Sequence, residues 1–245
     1  MALKVLIACE ESQAVCKAFR ELGHEAYSCD IQECSGGHPE WHILGDVLEV
    51  LNPQPHYGYI VEEEPEWIGI EFDTMDGTYH RIESKWDLII AHPPCTYLTL
   101  AGNKWFKSEY KDRFPERAKQ REDAVEFFVQ FANADCDHIA IENPVCIMSS
   151  RWRKPDQYVE PYFFGEPEKK KTGLWLKGLP LLIPTNVVEP VIIHCASGAN
   201  EPRWHMETMK LQKEERSRAR SKTFPGIAKA MAEQWSRYIE EERKG

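Results

Sequence analysis

No stretch of the 245-residue chain approaches the ~18 consecutive apolar residues of a membrane-spanning helix, so that architecture is excluded. No cleavable leader is expected either. Met1-Ala2-Leu3-Lys4 runs straight into a strand-like segment, so no signal peptide is expected and the expected compartment is the cytoplasm. The eight cysteines lack the spacing of a small disulfide scaffold and read as free thiols. There is no internal repeat and no low-complexity tract. Positive charge is in deficit, with a formal net charge of −10, which argues against a protein whose whole surface binds nucleic acid. Lysine is absent from residues 62–83, where Glu62, Glu63, Glu64, Glu66, Glu71, Asp73, Asp76 and Glu83 face Arg81. The basic residues gather instead at Lys104 to Arg121, Arg151 to Lys177 and Arg216 to Lys222, three clusters that suit a phosphate-binding face better than an evenly solvated surface.

The length suits one sizeable domain with a small appended lobe. Lys4 to Cys9 reads as a buried strand, Ser12 to Leu22 as a helix with Ser12 as N-cap and Gly23 as stop, and His24 to Ile31 as a second strand. A short apolar stretch before Asp46-Val47 suggests a third. Asp87 to Ala91 is continuously apolar, as a central parallel strand is. Arg117 to Ala134 follows as a helix with Val125, Phe128 and Ala132 on one face, then Ile139 to Ile141 as another central strand. This alternation predicts a doubly wound α/β sheet, whose ligands bind at the carboxyl ends of the strands. Glu10, Asp30, Asp46, Cys95 and Glu142 all fall at such ends.

Trp67 to Ile82 breaks the pattern. It alternates around Asp76-Gly77, a hairpin turn signal, and predicts an acidic hairpin inserted over about 57–84. Tyr162 to Lys222 reads as irregular, with one apolar piece at Leu174-Trp175-Leu176. Pro225 to Glu242 reads as a closing helix with Ile227, Met231, Trp235 and Tyr238 on one face. The expected division is 1–175 for the sheet, 176–222 for a reduced recognition region and 223–245 for the returning helix.

Two motifs carry the chemistry, each just past a central strand. Ala91-His92-Pro93-Pro94-Cys95 offers a thiol on a proline turn, and Glu142-Asn143-Pro144 offers a carboxylate. Carbon 5 of cytosine is a poor nucleophile. A thiolate adding to carbon 6 activates it, and a carboxyl whose pKa is raised by burial can protonate nitrogen 3. A lone cysteine is usually a small buried residue. The ordered pair is what points to chemistry.

With these motifs, most of the chain resembles the cytosine-C5 DNA methyltransferase family, in particular compact members from phages and prophages. The resemblance implies a Rossmann-like methyltransferase sheet, an S-adenosylmethionine donor and flipping of the target base out of DNA. It implies Cys95 as nucleophile, with Glu142 and Asn143 as the activating pair. Asp30 falls on the donor's ribose and Asp46 near its adenine, while Glu10, Pro93, Lys222 and Thr223 border the donor site. Lys104, Lys170, Lys171, Arg216, Arg218 and Arg220 fall on the DNA side. If phage-encoded, the protein works in the host cytoplasm.

The departures are specific. The family's glycine-containing Phe-x-Gly-x-Gly turn is replaced by Ala8-Cys9-Glu10-Glu11-Ser12-Gln13. Its Gln-x-Arg-x-Arg strand has only Lys169-Lys170-Lys171-Thr172 as a counterpart. Little is left of the target-recognition domain. Lys222 stands where the closing motif carries asparagine. A lysine beside a sulfonium is unfavourable without an anion between them, which raises carboxy-S-adenosylmethionine as an alternative donor; otherwise Lys222 reaches phosphate or solvent. Cys29, Cys34, His38 and His42 have zinc-like spacing, but Cys29 lies in a strand and Gly36-Gly37 suggests a loop, so no metal is expected.

Two other functions stay open. An amino-group methyltransferase, acting on cytosine N4 or adenine N6, has an Asp/Asn-Pro-Pro-Tyr/Phe motif like His92-Pro93-Pro94-Cys95, but leaves Glu142 without a role. A catalytically silent nucleic-acid-binding module would not need Cys95 and Glu142. RNA is open as a substrate, because nothing in the sequence reads a 2′-hydroxyl.

Overall fold

In the computed structural model, which describes residues 2–57, 64–194 and 200–244, the opening apolar run forms the strand β1 (Lys4–Ala8) at the centre of a sheet. Then come helix α1 (Ala14–Glu21) and strands β2 (Glu25–Asp30) and β3 (His42–Leu44). Strands β4 (Gln54–His56), β5 (Trp67–Asp73) and β6 (Tyr79–Ile82) lead to β7 (Leu88–Ala91), helix α2 (Arg117–Ala132), β8 (Ile139–Pro144) and the short α3 (Met148–Arg151). Strands β9 (Gln157–Val159), β10 (Thr172–Lys177), β11 (Ile192–His194) and β12 (Asn200–Pro202) precede α4 (Arg203–Met209), α5 (Lys213–Ser221) and α6 (Pro225–Glu242).

Seven strands form one mostly parallel sheet in the order β3-β2-β1-β7-β8-β10-β9. β3, β2, β1, β7 and β8 run parallel, whereas β10 is antiparallel to both β8 and β9. The chain winds outward from β1 to β3, then crosses back to place β7 on the other side of β1. The sheet is thus α/β and doubly wound, and its direction of winding reverses between β1 and β7, where such sheets form a crevice.

Alternation along the central strands supplies both faces. Leu6, Ala8, Ile89, Ala91, Ile139 and Ile141 join one core with α2 residues Phe128 and Phe131. Val5, Ile7, Leu88, Ile90 and Ala140 join the other with α1 and α6, through Phe19, Met231 and Trp235. A strand covered on both sides reads as a continuous apolar run because every residue is inside. The three fully buried tryptophans also satisfy their indole N–H groups: Trp86 donates to Val50 O at 2.7 Å, Trp175 to Arg153 O at 2.8 Å and Trp235 to Pro180 O at 3.0 Å.

Four expectations change. Helix α1 starts at Ala14, and its N-cap is Gln13 rather than Ser12; Gln13 adopts a left-handed backbone (φ 56°) with no side-chain cap of its own. The inserted hairpin is part of a three-stranded antiparallel sheet, β4-β5-β6, turned by Gly77 (φ 85°) beside Asp76; Glu62 and Glu63 lie outside the described residues. The segment read as irregular from Tyr162 onward contains β10, α4 and α5. The boundary expected at 175/176 falls inside β10, which pairs along its length with β8. The closing helix matches its expected span, with Ile227, Met231 and Trp235 buried; Tyr238 is half exposed and Ile239 takes the inner position.

The seven described cysteines are free thiols. The zinc-like quartet is occupied otherwise. His42 is bonded through both ring nitrogens, to Ser28 Oγ at 2.8 Å and Gln32 O at 2.9 Å, and His38 stacks on Trp41 at 3.8 Å. The loop that carries these residues is clamped by Gln13, whose amide nitrogen donates to His38 O at 2.8 Å and whose amide oxygen accepts from His38 N at 3.1 Å. Only glycine fits beneath this clamp. A Cβ at Gly36 would stand 2.5 Å from Gln13 Cβ and 2.7 Å from Ser12 O. Gly36→Ala should therefore cost about 1–3 kcal/mol, as overpacking does. Urea unfolding should show a lower midpoint at unchanged slope.

Candidate active site

β1, β2, β7 and β8 end at the same edge, so the residues just past them converge. β7 and β8 are in register with Ala91 opposite Ile141, which sets His92 beside Glu142. His92 Nδ1 lies 2.6 Å from Glu142 Oε2, and both side chains are 9 % exposed. Thr223, in the loop before α6, donates its hydroxyl to the same carboxylate oxygen at 3.4 Å.

The two shifts within this pair have opposite directions. Burial pushes Glu142 upward, but the hydrogen bond and charge of His92, with Lys170 and Thr223, outweigh it and hold the carboxyl below its ordinary value. Burial pushes His92 downward, but Glu142, with Glu10 beyond it, leaves the imidazole above its ordinary value. Both directions favour the charged form of the pair, an imidazolium facing a carboxylate. This corrects the expectation that burial raises Glu142. His92 Nε2 is buried and has no partner.

Asn143 ties the two motifs together. It is buried, and its amide nitrogen donates to Pro93 O at 2.7 Å, while its amide oxygen is buried without a partner. Pro93 is therefore held by its carbonyl in the frame that aims Cys95. Past Cys95 the chain turns tightly, with Leu98 N and Thr99 N both donating to Cys95 O at 3.0 and 2.9 Å. A bridge between Thr99 and Cys146 locks this turn to the end of β8. The Cys95 thiol is partly exposed. Burial and the negative charge of Glu142 push its pKa up, against the pull of the Lys170 ammonium.

Lys170 reaches this group from the approach to β10. Its Nζ donates to Lys222 O at 3.0 Å, which fastens the loop before α6 over the site. Lys222 therefore offers its carbonyl inward. Its side chain is exposed and, with Ser12, Lys17, Trp204 and Phe224, borders a cleft of about 470 Å³.

The side expected to face a donor is built without glycine. Cys9 (φ 60°) and Gln13 (φ 56°) adopt the left-handed backbone that glycine adopts freely. Between them Glu10 is buried and accepts from Val15 N at 2.7 Å and Cys16 N at 3.1 Å. It thus occupies the N-terminus of α1, the place where an anionic ligand would otherwise bind. Burial raises the Glu10 carboxyl against the pull of His92 and these two N–H groups. Asp30, half-buried at the end of β2, accepts from Gln32 N at 2.9 Å, and burial raises its pKa. Asp46 is exposed and caps the turn Val47–Glu49 by accepting from Leu48 N at 3.0 Å. Both carboxylates, after burial and beside Cys29, help to hold the Cys9 thiol well above its ordinary value, so all lie around one corner of the sheet.

The residues expected on the DNA side separate. Arg220 donates to Thr208 Oγ1 at 3.0 Å and Arg216 to Met209 Sδ at 3.9 Å, so both hold α4 against α5, and Arg216 also donates to Leu211 O at 2.9 Å in the turn between them. Arg218 is exposed. Lys171 lies 4.4 Å from the Tyr158 ring centroid and Lys104 lies 4.7 Å from that of Trp105. The functional residue that the sequence reading left without a role is His92. Its signal was present, since His92 and Glu142 are the first residues past equivalent positions on adjacent strands. Compared with known proteins, the chain matches no protein-family model and no curated protein.

Proposed function

We propose that the protein alkylates carbon 5 of cytosine in DNA through a covalent adduct on Cys95, transferring a methyl group from an S-adenosylmethionine-type donor. One observation carries this reading. The thiol-bearing turn and a buried carboxylate stand at the ends of adjacent strands and are fixed to each other by the Asn143–Pro93 hydrogen bond.

Lys170 favours the Cys95 thiolate. Addition of that thiolate to ring carbon 6 moves electron density onto carbon 5 and nitrogen 3. Glu142 is the group in contact with nitrogen 3, and His92 Nδ1 is the source of the proton it passes on. Once carbon 5 has taken the alkyl group, with the donor's sulfonium leaving as a neutral thioether, a solvent water takes the carbon 5 proton; the carbon 5–carbon 6 double bond re-forms, the thiolate is expelled, and nitrogen 3 returns its proton to the pair. A donor of this class supplies the electrophilic alkyl group. Asp30 and Asp46 suit its adenosine end. Its anionic end must be met away from the α1 N-terminus, because Glu10 already fills that position.

Methyl rather than carboxymethyl transfer is the proposal, because Lys222 turns its carbonyl and not its ammonium toward the site. An amino-group methyltransferase would need the residue at His92 to accept from the exocyclic amine, but that ring is buried and bonded to Glu142. Mass analysis of nucleosides from DNA co-expressed with the protein tests the reading. Methylcytosine substituted at carbon 5 is expected. N4-methylcytosine or N6-methyladenine would transfer the assignment to the amino-group class, and unmodified DNA would leave a binding module.

A further inference from the structure

Directly after Cys95, none of residues 99–123 is buried, and the first residues to pack on the core are Ala124 and Val125 of α2. The part nearest the thiol has only short 3₁₀ turns, at Leu100–Phe106 and Ser108–Tyr110. Apolar residues here would ordinarily be few, yet Trp105, Phe106, Tyr110 and Phe114 are all present and all partly exposed. Trp105 meets Tyr110 and Phe114 edge-on, with centroids 5.0 and 5.8 Å apart. Guanidinium groups lie over the rings. Arg121 is 3.2 Å and Arg117 4.9 Å from the Phe106 centroid.

The cations are as unusual as the rings. Among the described residues, Lys104, Lys107, Lys111, Arg113, Arg117 and Arg121 form no ion pair within 4.0 Å. Arg117 Nε is buried without a partner. Arg121, anchored to Tyr97 O at 3.0 Å and Asn103 Oδ1 at 2.8 Å, is crowded by Arg117 and Arg151. Like charges held together in a chain of net charge −10 imply a polyanion at this surface.

We infer that this segment is a stacking platform for single-stranded DNA, delivering an already unpaired cytosine to Cys95. Rings with cations between them match a strand whose bases and phosphates are both accessible, whereas a duplex hides its base faces. An unpaired target also removes the cost of extracting the base from a helix. The platform is rigidly joined to the site, because Ile147 N donates to Leu98 O at 3.0 Å and Thr99 bridges Cys146. The inference rests on the base-alkylating reading for the fate of the strand, not for its binding.

The test is equilibrium binding of the full-length protein, without donor, to a fluorescent single-stranded DNA, to the duplex of the same sequence and to the corresponding RNA. Single-stranded DNA should bind at least about tenfold more tightly than the duplex and no less tightly than the RNA. Trp105→Ala should weaken it about tenfold, in line with the loss of one stacked base, while Trp105→Phe keeps most of the affinity. Arg113→Gln should reduce the steepness of the salt dependence. Melting of the Trp105 variants, unchanged from the parent, shows that they fold. Tighter binding of duplex or RNA, or unchanged affinity in folded Trp105→Ala, would overturn the platform. Single-strand binding with no modified base would instead overturn the alkylation and leave the platform standing.

Discussion

On the proposed mechanism, Cys95→Ser should fold and bind DNA as the parent does but alkylate at least on the order of 10³-fold more slowly. A hydroxyl at neutral pH is a far weaker nucleophile than a thiol, and the site offers Cys95 no dedicated base. Lys170 supports a thiolate by charge alone, and charge cannot deprotonate a serine hydroxyl. Cys95 is also held above its ordinary pKa by burial, so the parent rate should climb as pH rises toward thiol ionisation. The serine variant should lose that climb. Initial rates at several pH values, read as labelled alkyl group in DNA, check both points. Retention of the parent rate in Cys95→Ser would remove covalent catalysis.

Glu142→Gln lowers turnover by roughly 10²–10⁴-fold while DNA affinity changes little, because an amide cannot pass the proton held by His92. Breaking the pair from the other side is a stability experiment. His92→Ala leaves a buried carboxylate without its imidazolium, a loss of about 3–5 kcal/mol by comparison with other broken buried pairs. The pH dependence follows from the two directions. Glu142 is lowered by folding, so its contribution is present above ~4.3 and is lost as pH falls through its folded value. His92 is raised by folding, so its contribution is complete below ~6.5 and is lost as pH rises through its folded value. The stability gap between the parent and His92→Ala should therefore be widest between these limits and narrow on either side. Urea unfolding across that range measures it, and a gap independent of pH would mean that neither group shifts the other's pKa. His92 also faces Glu10 and Lys170, so the His92→Ala gap should be compared with that of Glu142→Gln to isolate the pair.

The parts of the fold that were legible are those in which one strand or helix carries its own signal. β1, β7 and β8 are buried on both faces and read as apolar runs. α6 shows its inner face at helical spacing behind Pro225. The placement of Cys95 and Glu142 at neighbouring strand ends was legible because each follows a continuous apolar run that predicts a central strand. The parts that were not legible depend on partners distant in sequence. β10 is a strand because Thr172 to Lys177 pairs backward with Pro144 to Ile139, which nothing local announces. α5 buries no residue and has no apolar stripe; Arg216 and Arg220 hold it to α4 by hydrogen bonds. Ser12 looked like the cap of α1, but the buried Glu10 satisfies its first N–H groups from outside the helix. Burial alone predicts a raised Glu142, and the direction reverses chiefly because a histidine follows the neighbouring strand, with Lys170 and Thr223 adding to it.

The central claim is that Cys95 bonds to carbon 6 of a cytosine while the His92–Glu142 pair protonates the ring. Incubating the protein and donor with 5-fluorocytosine DNA tests it directly, because fluorine at carbon 5 cannot leave as a proton and the adduct cannot resolve. Mass spectrometry of the digested complex should find the alkylated nucleotide on the peptide that contains Cys95, and no complex should survive denaturation with Cys95→Ser. An adduct on another residue, or 5-methylcytosine formed from ordinary DNA while 5-fluorocytosine DNA traps nothing, would contradict the account.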